Sequence, residues 1–221
     1  MTVVALETSS RPPSIAVRNA ERALALTLEE GRRHASDLLG ALESLLRELG
    51  ESPDSIKTVI VGTGPGSYTG LRVGIATALG LSRGSGAQLQ ALPSFEALAM
   101  AHLEEGECGT ILLDARSRQF YGAQYQRTAT GVRAIVDPMV CAAGDWRTVL
   151  PSADCIVCDD ASATAAKLDE SERALLRTCT GPEAKHLLPL GIARLETTGP
   201  LDPTEVQPLY LRPFAANVRK R

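Results

Sequence analysis

Between Gly62 and Arg72 the chain reads Gly-Thr-Gly-Pro-Gly-Ser-Tyr-Thr-Gly-Leu-Arg, directly after the apolar run Thr58-Val59-Ile60-Val61. Residues 71–81 then read as a helix, so four glycines and a proline fall within nine residues at a strand-to-helix junction. That junction is where α/β proteins hold their ligands. Glycine lets the backbone take positive φ and lets another group lie directly against it. The helix behind supplies unpaired amides that favour an anion. A tight structural turn would use the same residues. Two phosphate motifs are excluded. A P-loop requires Lys and then Ser or Thr after its last glycine, and Gly70 is followed by Leu71 and Arg72. A dinucleotide fingerprint begun at Gly62 and Gly64 requires a third glycine where Ser67 stands.

The flanking elements set the fold class. Residues 2–6, 14–18 and 22–29 read as three strands, the last with Leu24, Leu26 and Leu28 alternating against Ala23, Ala25 and Thr27. Residues 35–49 read as a helix, with Leu38, Leu39, Leu42, Leu45, Leu46 and Leu49 on one stripe and Gly50 as its stop. A strand at 56–61, the glycine loop with its helix, a strand at 88–92 and a helix at 94–102 follow, in the order βββαβαβα. After the polar stretch 104–109 the same order recurs: strands at 110–114, 119–126 and 132–136, a helix near 145–150, a strand at 154–158, an Ala-rich helix at 161–168, a strand at 175–180 and a helix at 182–196 that Pro189 should kink. The expected architecture is therefore α/β and two-lobed, a duplicated ribonuclease-H-like fold of the actin and sugar-kinase type. Residues 1–103 form one lobe and residues 104–221 the other.

Composition narrows the function classes. The chain has 221 residues, is 44% hydrophobic and 22% charged, and carries a net charge of −3. These are the values of an ordinary globular protein, with no basic field for binding nucleic acid unaided. The N-terminus has no basic n-region, and no run of about 18 apolar residues occurs, so neither a leader nor a membrane span is expected. Five cysteines with no export signal favour the cytoplasm. Cys155 and Cys158 match CxxC, but on a strand their side chains would diverge, which suits core residues better than a metal or redox pair. The histidines, His34, His102 and His186, share no metal-ligand spacing, and no GxSxG elbow surrounds Ser67.

Catalytic constellations are correspondingly thin. Glu7 and Asp114 end the first strands of the two lobes, where enzymes of this fold hold magnesium and phosphate. With Thr8, Ser9, Gly64, Gly66 and Ser67 they are the candidate nucleotide site, and an ion pair of Asp114 with Arg116 is the structural alternative. The helix after the loop is apolar all round and must be covered on both sides. Gly74, Ala78 and Gly80 offer a small-residue face for a partner, although burial by helices of the same lobe would also cover it.

The segment GTGPGSYTGLRVGIATALGL resembles the signature of the bacterial TsaB (YeaZ) family. The similarity includes Thr8-Ser9, His34 ahead of a Leu-rich helix, Leu113-Asp114-Ala115-Arg116 followed by Tyr121, and Pro208-Leu209-Tyr210-Leu211-Arg212-Pro213. The resemblance implies a non-catalytic subunit that pairs with the catalytic subunit TsaD and the ATPase TsaE in threonylcarbamoylation of adenosine 37 of ANN-decoding tRNAs. Contact with tRNA would come only through the complex, ATP and magnesium would act at the level of the complex, and the subunit itself would hold no cofactor. TsaD binds metal through paired histidines on its first long helix, whereas here His34 is followed at i+4 by Leu38. The family usually has Asp where Glu7 stands. The implied interface, to TsaD or to a second copy when alone, comprises His34, Leu38, Leu42, Leu45, Leu71, Arg72, Gly74, Ile75, Ala78 and Leu79. On this assignment Leu42→Asp and Leu79→Asp impair folding, and Gly74→Glu mainly breaks pairing. The alternative function is a small-molecule kinase or ATPase of the same superfamily.

Overall fold

A computed structural model describes residues 1–28, 35–159, 164, 166 and 168–212. The first half begins with a meander, β1 (Thr2–Glu7), β2 (Ser14–Arg18) and β3 (Ala23–Thr27). Helix α1 (Ala35–Glu48) leads to β4 (Ile56–Gly62), α2 (Tyr68–Ser85), β5 (Gln88–Leu92) and α3 (Ser94–His102). The second half runs β6 (Cys108–Asp114), β7 (Gln119–Thr128), β8 (Gly131–Ala142), α4 (Trp146–Val149), β9 (Cys155–Cys158), α5 (Glu170–Arg173), β10 (Leu176–Thr178) and α6 (Ala184–Thr198). The Ala-rich helix expected at 161–168 falls largely outside the described residues.

Each half forms a five-stranded sheet. The orders are β3-β2-β1-β4-β5 and β8-β7-β6-β9-β10, the same permutation twice. In both, the meander pairs antiparallel and the later strands join in parallel. The chain therefore has the duplicated ribonuclease-H-like fold that the repeated element order predicts.

What joins the halves is an exchange of helices. Helix α3, from the first half, packs on β6, β7 and β8, placing Phe95, Leu98 and Ala99 in one core with Ile111, Ala123 and Tyr125. Helix α6, from the second half, packs on β1, β2, β4 and β5, where Ala184, Leu187 and Leu188 meet Val3, Ala5 and Ile60. The two helices also touch each other, and Arg194 bonds the buried Glu96 carboxylate at 2.9 Å. The outer face of the first sheet is covered by α1 and α2, and that of the second by Trp146 and Leu150 around α4.

Three local departures have physical causes. Strand β8 is longer than its apolar pattern suggests and carries Pro138, which an edge strand tolerates because one side of its backbone needs no ladder bond. Helix α6 runs through Pro189 as a single helix. Pro189 and Lys185 are both exposed, so the Lys185 carbonyl that loses its i+4 donor can turn to water. Cys155 and Cys158 lie on one strand with Cys155 in the α3 core; none of the five cysteines forms a disulfide, and four of them are buried and Cys108 half-buried, which shields them more than a reactive thiol requires. Burial pushes the Cys155 thiol up to about 12 and the Cys179 thiol up to about 11.

Candidate functional site

The glycine loop is packed against the turn that follows β1. The Ser67 amide donates to the Ser9 carbonyl at 2.7 Å, and the Thr8 hydroxyl donates to the Gly70 carbonyl at 2.8 Å. The loop is tied on its other side to α3, where the Gly64 amide donates to Ser94 Oγ at 2.9 Å and the Ser94 amide to the Gly64 carbonyl at 2.8 Å. Ser67 accepts from the Gly70 amide at 3.3 Å and caps α2, so the helix begins at Tyr68 rather than at Leu71.

The spacing of the glycines explains the fit. Gly62, Gly66, Gly70 and Gly74 recur every four residues, and all four face the same turn. A Cβ on Gly62 would lie 1.9 Å from Glu7 Oε2, and one on Gly66 2.2 Å from the Ser9 carbonyl oxygen. On Gly70 it would lie 2.1 Å from the Thr8 carbonyl oxygen, and on Gly74 2.1 Å from Thr8 Oγ1. At Gly66 and Gly70 the obstacle is backbone that cannot swing aside, so glycine is required by contact; at Gly62 and Gly74 the Glu7 or Thr8 side chain would have to shift. Thr8 and Ser9 are buried, and the Gly64, Ser67 and Gly70 amides of the loop are engaged within the chain.

Glu7 is fully buried at the end of β1. Its Oε1 accepts the Ser9 amide at 2.7 Å, and Oε2 lies over the Cα of Gly62. Desolvation raises its pKa, against the opposing effect of the hydrogen bonds from Ser9 and Ser94. Asp114, its counterpart at the end of β6, is exposed, and its Oδ1 accepts the Arg116 amide at 2.9 Å. The expected ion pair of Asp114 with Arg116 is not found among the described residues; the contact is a hydrogen bond from the Arg116 backbone amide. Residues 116–118 all hold left-handed backbone, with φ of 62°, 54° and 60°, in the tight hairpin to β7.

The interface residues divide differently from the sequence assignment. His34 lies outside the described residues. Leu38, Leu42, Leu45, Leu71, Ile75 and Ala78 are buried between α1, α2 and the sheet. Gly74 faces Thr8, and Leu79 is half-buried against the same core. The small-residue face assigned to Gly74 and Ala78 therefore points inward, and Gly74→Glu would break the fold before it broke any pairing. A helix apolar all round carries no polar stripe to fix its rotation, and here contact with Thr8 fixes it.

The outward rows of α2 are Arg72, Ala76 and Gly80 beside Val73, Thr77 and Leu81. With Leu39 of α1, 45% exposed, they line an open apolar groove of about 520 Å³. The sequence reading places Leu39 in the buried leucine stripe, but the structure turns it outward, because the sheet-facing row of α1 is filled by Leu38, Leu42, Leu45, Leu46 and Leu49. Small residues at 76 and 80 allow another helix to approach closely.

Arg72, which lines the groove, is held by the segment that follows α6, a contact that sequence periodicity did not reveal. After α6 the chain returns along β5, with the Leu201 amide on the Leu89 carbonyl at 2.9 Å and the Leu209 amide on the Thr63 carbonyl at 2.8 Å. This strap stacks Tyr210 on Tyr68, ring centroids 4.8 Å apart. Arg72 donates from Nε to Tyr210 Oη at 2.9 Å, and its guanidinium lies 4.1 Å over the Tyr68 ring. Further on, Arg212 donates to the Ala115 carbonyl of the second half.

The family model described as TsaD, tRNA N6-adenosine threonylcarbamoyltransferase, matches residues 28–154. The chain is 25% identical over 229 residues to the tRNA threonylcarbamoyladenosine biosynthesis protein TsaB of Haemophilus influenzae, covering 96% of this chain and 94% of that one. It is 28% identical over 155 residues to the TsaB of Bacillus subtilis, covering 70% of this chain and 68% of the relative. The solved structure of YeaZ from Pseudomonas aeruginosa superposes with a TM-score of 0.83 at 25% identity, over 95% of this chain and 99% of that one. The chain belongs to this family, on its TsaB (YeaZ) branch. Among the described residues, no group of three or more His, Cys, Asp or Glu could hold a metal ion, and no helix is long and apolar enough to cross a membrane.

Proposed function

We propose that this TsaB-family chain is an accessory subunit of tRNA threonylcarbamoyladenosine biosynthesis and acts by pairing with a TsaD-type catalytic subunit through the outer face of α1 and α2. The observation that carries this reading is the contrast within α2. Its inner face is closed by Thr8 and the sheet, while its outer face is apolar, contoured by small residues and left open as a groove. Apolar helix faces of this kind are the core of partner interfaces. The loop that would serve a nucleotide is closed by the chain's own turn, which supports a non-catalytic role. A TsaE-type ATPase joins the pair, tRNA is met through the complex, and a second copy of the chain covers the groove when the catalytic subunit is absent.

Depletion and complementation test the function, with threonylcarbamoyladenosine measured in digested tRNA. The level falls on depletion and returns with the wild-type chain but not with Ala76→Asp. An unchanged level after depletion removes the functional reading. Calorimetric titration of the isolated chain with ATP and magnesium gives no tight binding on this reading; tight binding would place the chain with the kinases of its fold instead.

A further inference from the structure

Among the described residues Arg72 is the one charged side chain that lines the groove, and its geometry is set in advance. Its Nε is held by Tyr210 and its face by Tyr68, so the guanidinium plane cannot rotate freely. Tyr210 is itself held by the stack and by the strap's bond to Thr63. Among the described residues nothing bonds Nη1 or Nη2. These two donors form the planar fork that matches a carboxylate with two parallel hydrogen bonds. The site lies in the first turns of α2, where the helix dipole adds positive potential. Helix α2 contains Arg72 and Arg83 and no acidic residue, so nothing on it neutralises the fork.

We infer that the groove takes an apolar helix of the catalytic partner that carries one Asp or Glu, and that Arg72 reads this carboxylate and sets the register of docking. The inference rests on the pairing proposed above and adds the chemistry that selects the occupant. A second copy fits less well. Facing α2 of another copy, Arg72 would meet a helix without a carboxylate. On α1, Asp37 is already engaged and Glu43 is paired with Arg47 at 2.7 Å. Glu48 lies nine residues beyond Leu39, about 13 Å along the helix axis.

The experiment measures the affinity of the full-length chain for the purified TsaD-type subunit of the same organism at low and high salt. The variants are Arg72→Gln, Arg72→Lys, Tyr210→Phe and Ala76→Asp. Loss of one partner of a desolvated, doubly bonded ion pair weakens binding by about 20-fold or more, so Arg72→Gln should do so and flatten the salt dependence. Arg72→Lys keeps the charge without the fork and recovers little of the loss. Tyr210→Phe frees the guanidinium and weakens binding by roughly 3-fold, the scale of one neutral hydrogen bond. Sedimentation of the isolated chain should show the same self-association for wild type and Arg72→Gln. The inference is overturned if Arg72→Gln pairs as the wild type does while Ala76→Asp does not, since the groove then docks a partner without a carboxylate. It is also overturned if Arg72→Gln weakens self-association as much as pairing, which makes the second copy the occupant. If Ala76→Asp also pairs normally, the interface reading itself fails.

Discussion

The two faces of α2 are built from the same kinds of residue and have opposite fates. Gly70, Gly74 and Ala78 face inward and are filled to contact by Thr8 and the sheet; Ala76 and Gly80 face outward and are exposed, and a Cβ on Gly80 would meet no described atom within 4 Å. Small residues on a helix invite close approach but do not say from which side. The difference lies in what the rest of the chain brings. Thr8 arrives from a turn some sixty residues away and occupies the inner row. Among the described residues nothing comparable reaches the outer row, apart from the strap that fixes Arg72 at its end.

The sharpest way to break this comparison is to add a side chain to each face in turn. Gly70→Val drives a Cβ to 2.1 Å from the Thr8 carbonyl, a backbone atom that cannot swing aside. It should destabilise the chain by about 3 kcal/mol or more, seen as a lower urea midpoint and poor soluble yield. A wild-type midpoint would mean that the turn gives way and the seal is loose. Ala76→Asp, on the outer face, should change the unfolding free energy by no more than about 0.5 kcal/mol. Its effect should appear instead in co-elution with the TsaD-type subunit, because the new carboxylate must be desolvated in an apolar groove and, one turn from Arg72, occupies the guanidinium fork; together these weaken association by about 100-fold.

The carboxyl sealed under the loop tests the inner face in another way. Burial raises the Glu7 pKa above its unfolded value near 4.5, so its neutral form stabilises the fold below that value. The contribution is lost as pH rises through the folded-state pKa. Glu7→Gln keeps an oxygen for the Ser9 amide and removes the charge. The variant should match the wild type near pH 4 and be the more stable by about 1 kcal/mol or more at pH 8, measured by urea unfolding across pH. A constant difference at every pH would show that Glu7 has the same pKa folded and unfolded, and that the space behind Gly62 is wetter than its packing suggests.

Sequence periodicity carried the fold because the fold is local to each element. The leucine stripe of α1, the alternation in β3 and the apolar run of β4 each follow from one element's contact with the sheet, and the repeated order gave the duplication. The exchange of α3 and α6 was not visible, since a helix pattern records that one face is buried and not which sheet buries it. The rotation of α2 was missed for the reason that makes it interesting: apolar all round, it leaves the phase to tertiary contact. A stronger signal was present in Gly62, Gly66, Gly70 and Gly74, whose four-residue spacing marks a single glycine row. The Arg72–Tyr210 bond joins residues 138 positions apart, and no periodicity encodes such a contact.

The smallest expected effect belongs to Leu39, and it separates the two faces most cleanly. Leu39 is 45% exposed in the chain alone, while Leu38 beside it is buried. Leu38→Ala leaves a cavity in a packed core and should cost about 2–4 kcal/mol of stability. Leu39→Ser removes apolar area that only a partner would bury, so stability should stay within about 0.5 kcal/mol of the wild type. Burying the exposed part of a leucine contributes about 1 kcal/mol, so pairing should weaken by roughly five-fold. Titration calorimetry of the pair and urea unfolding of the single chain read the two quantities independently. If Leu39→Ser costs stability and leaves pairing intact, then α1 closes the groove from within, and the outer face of α2 is part of the core after all.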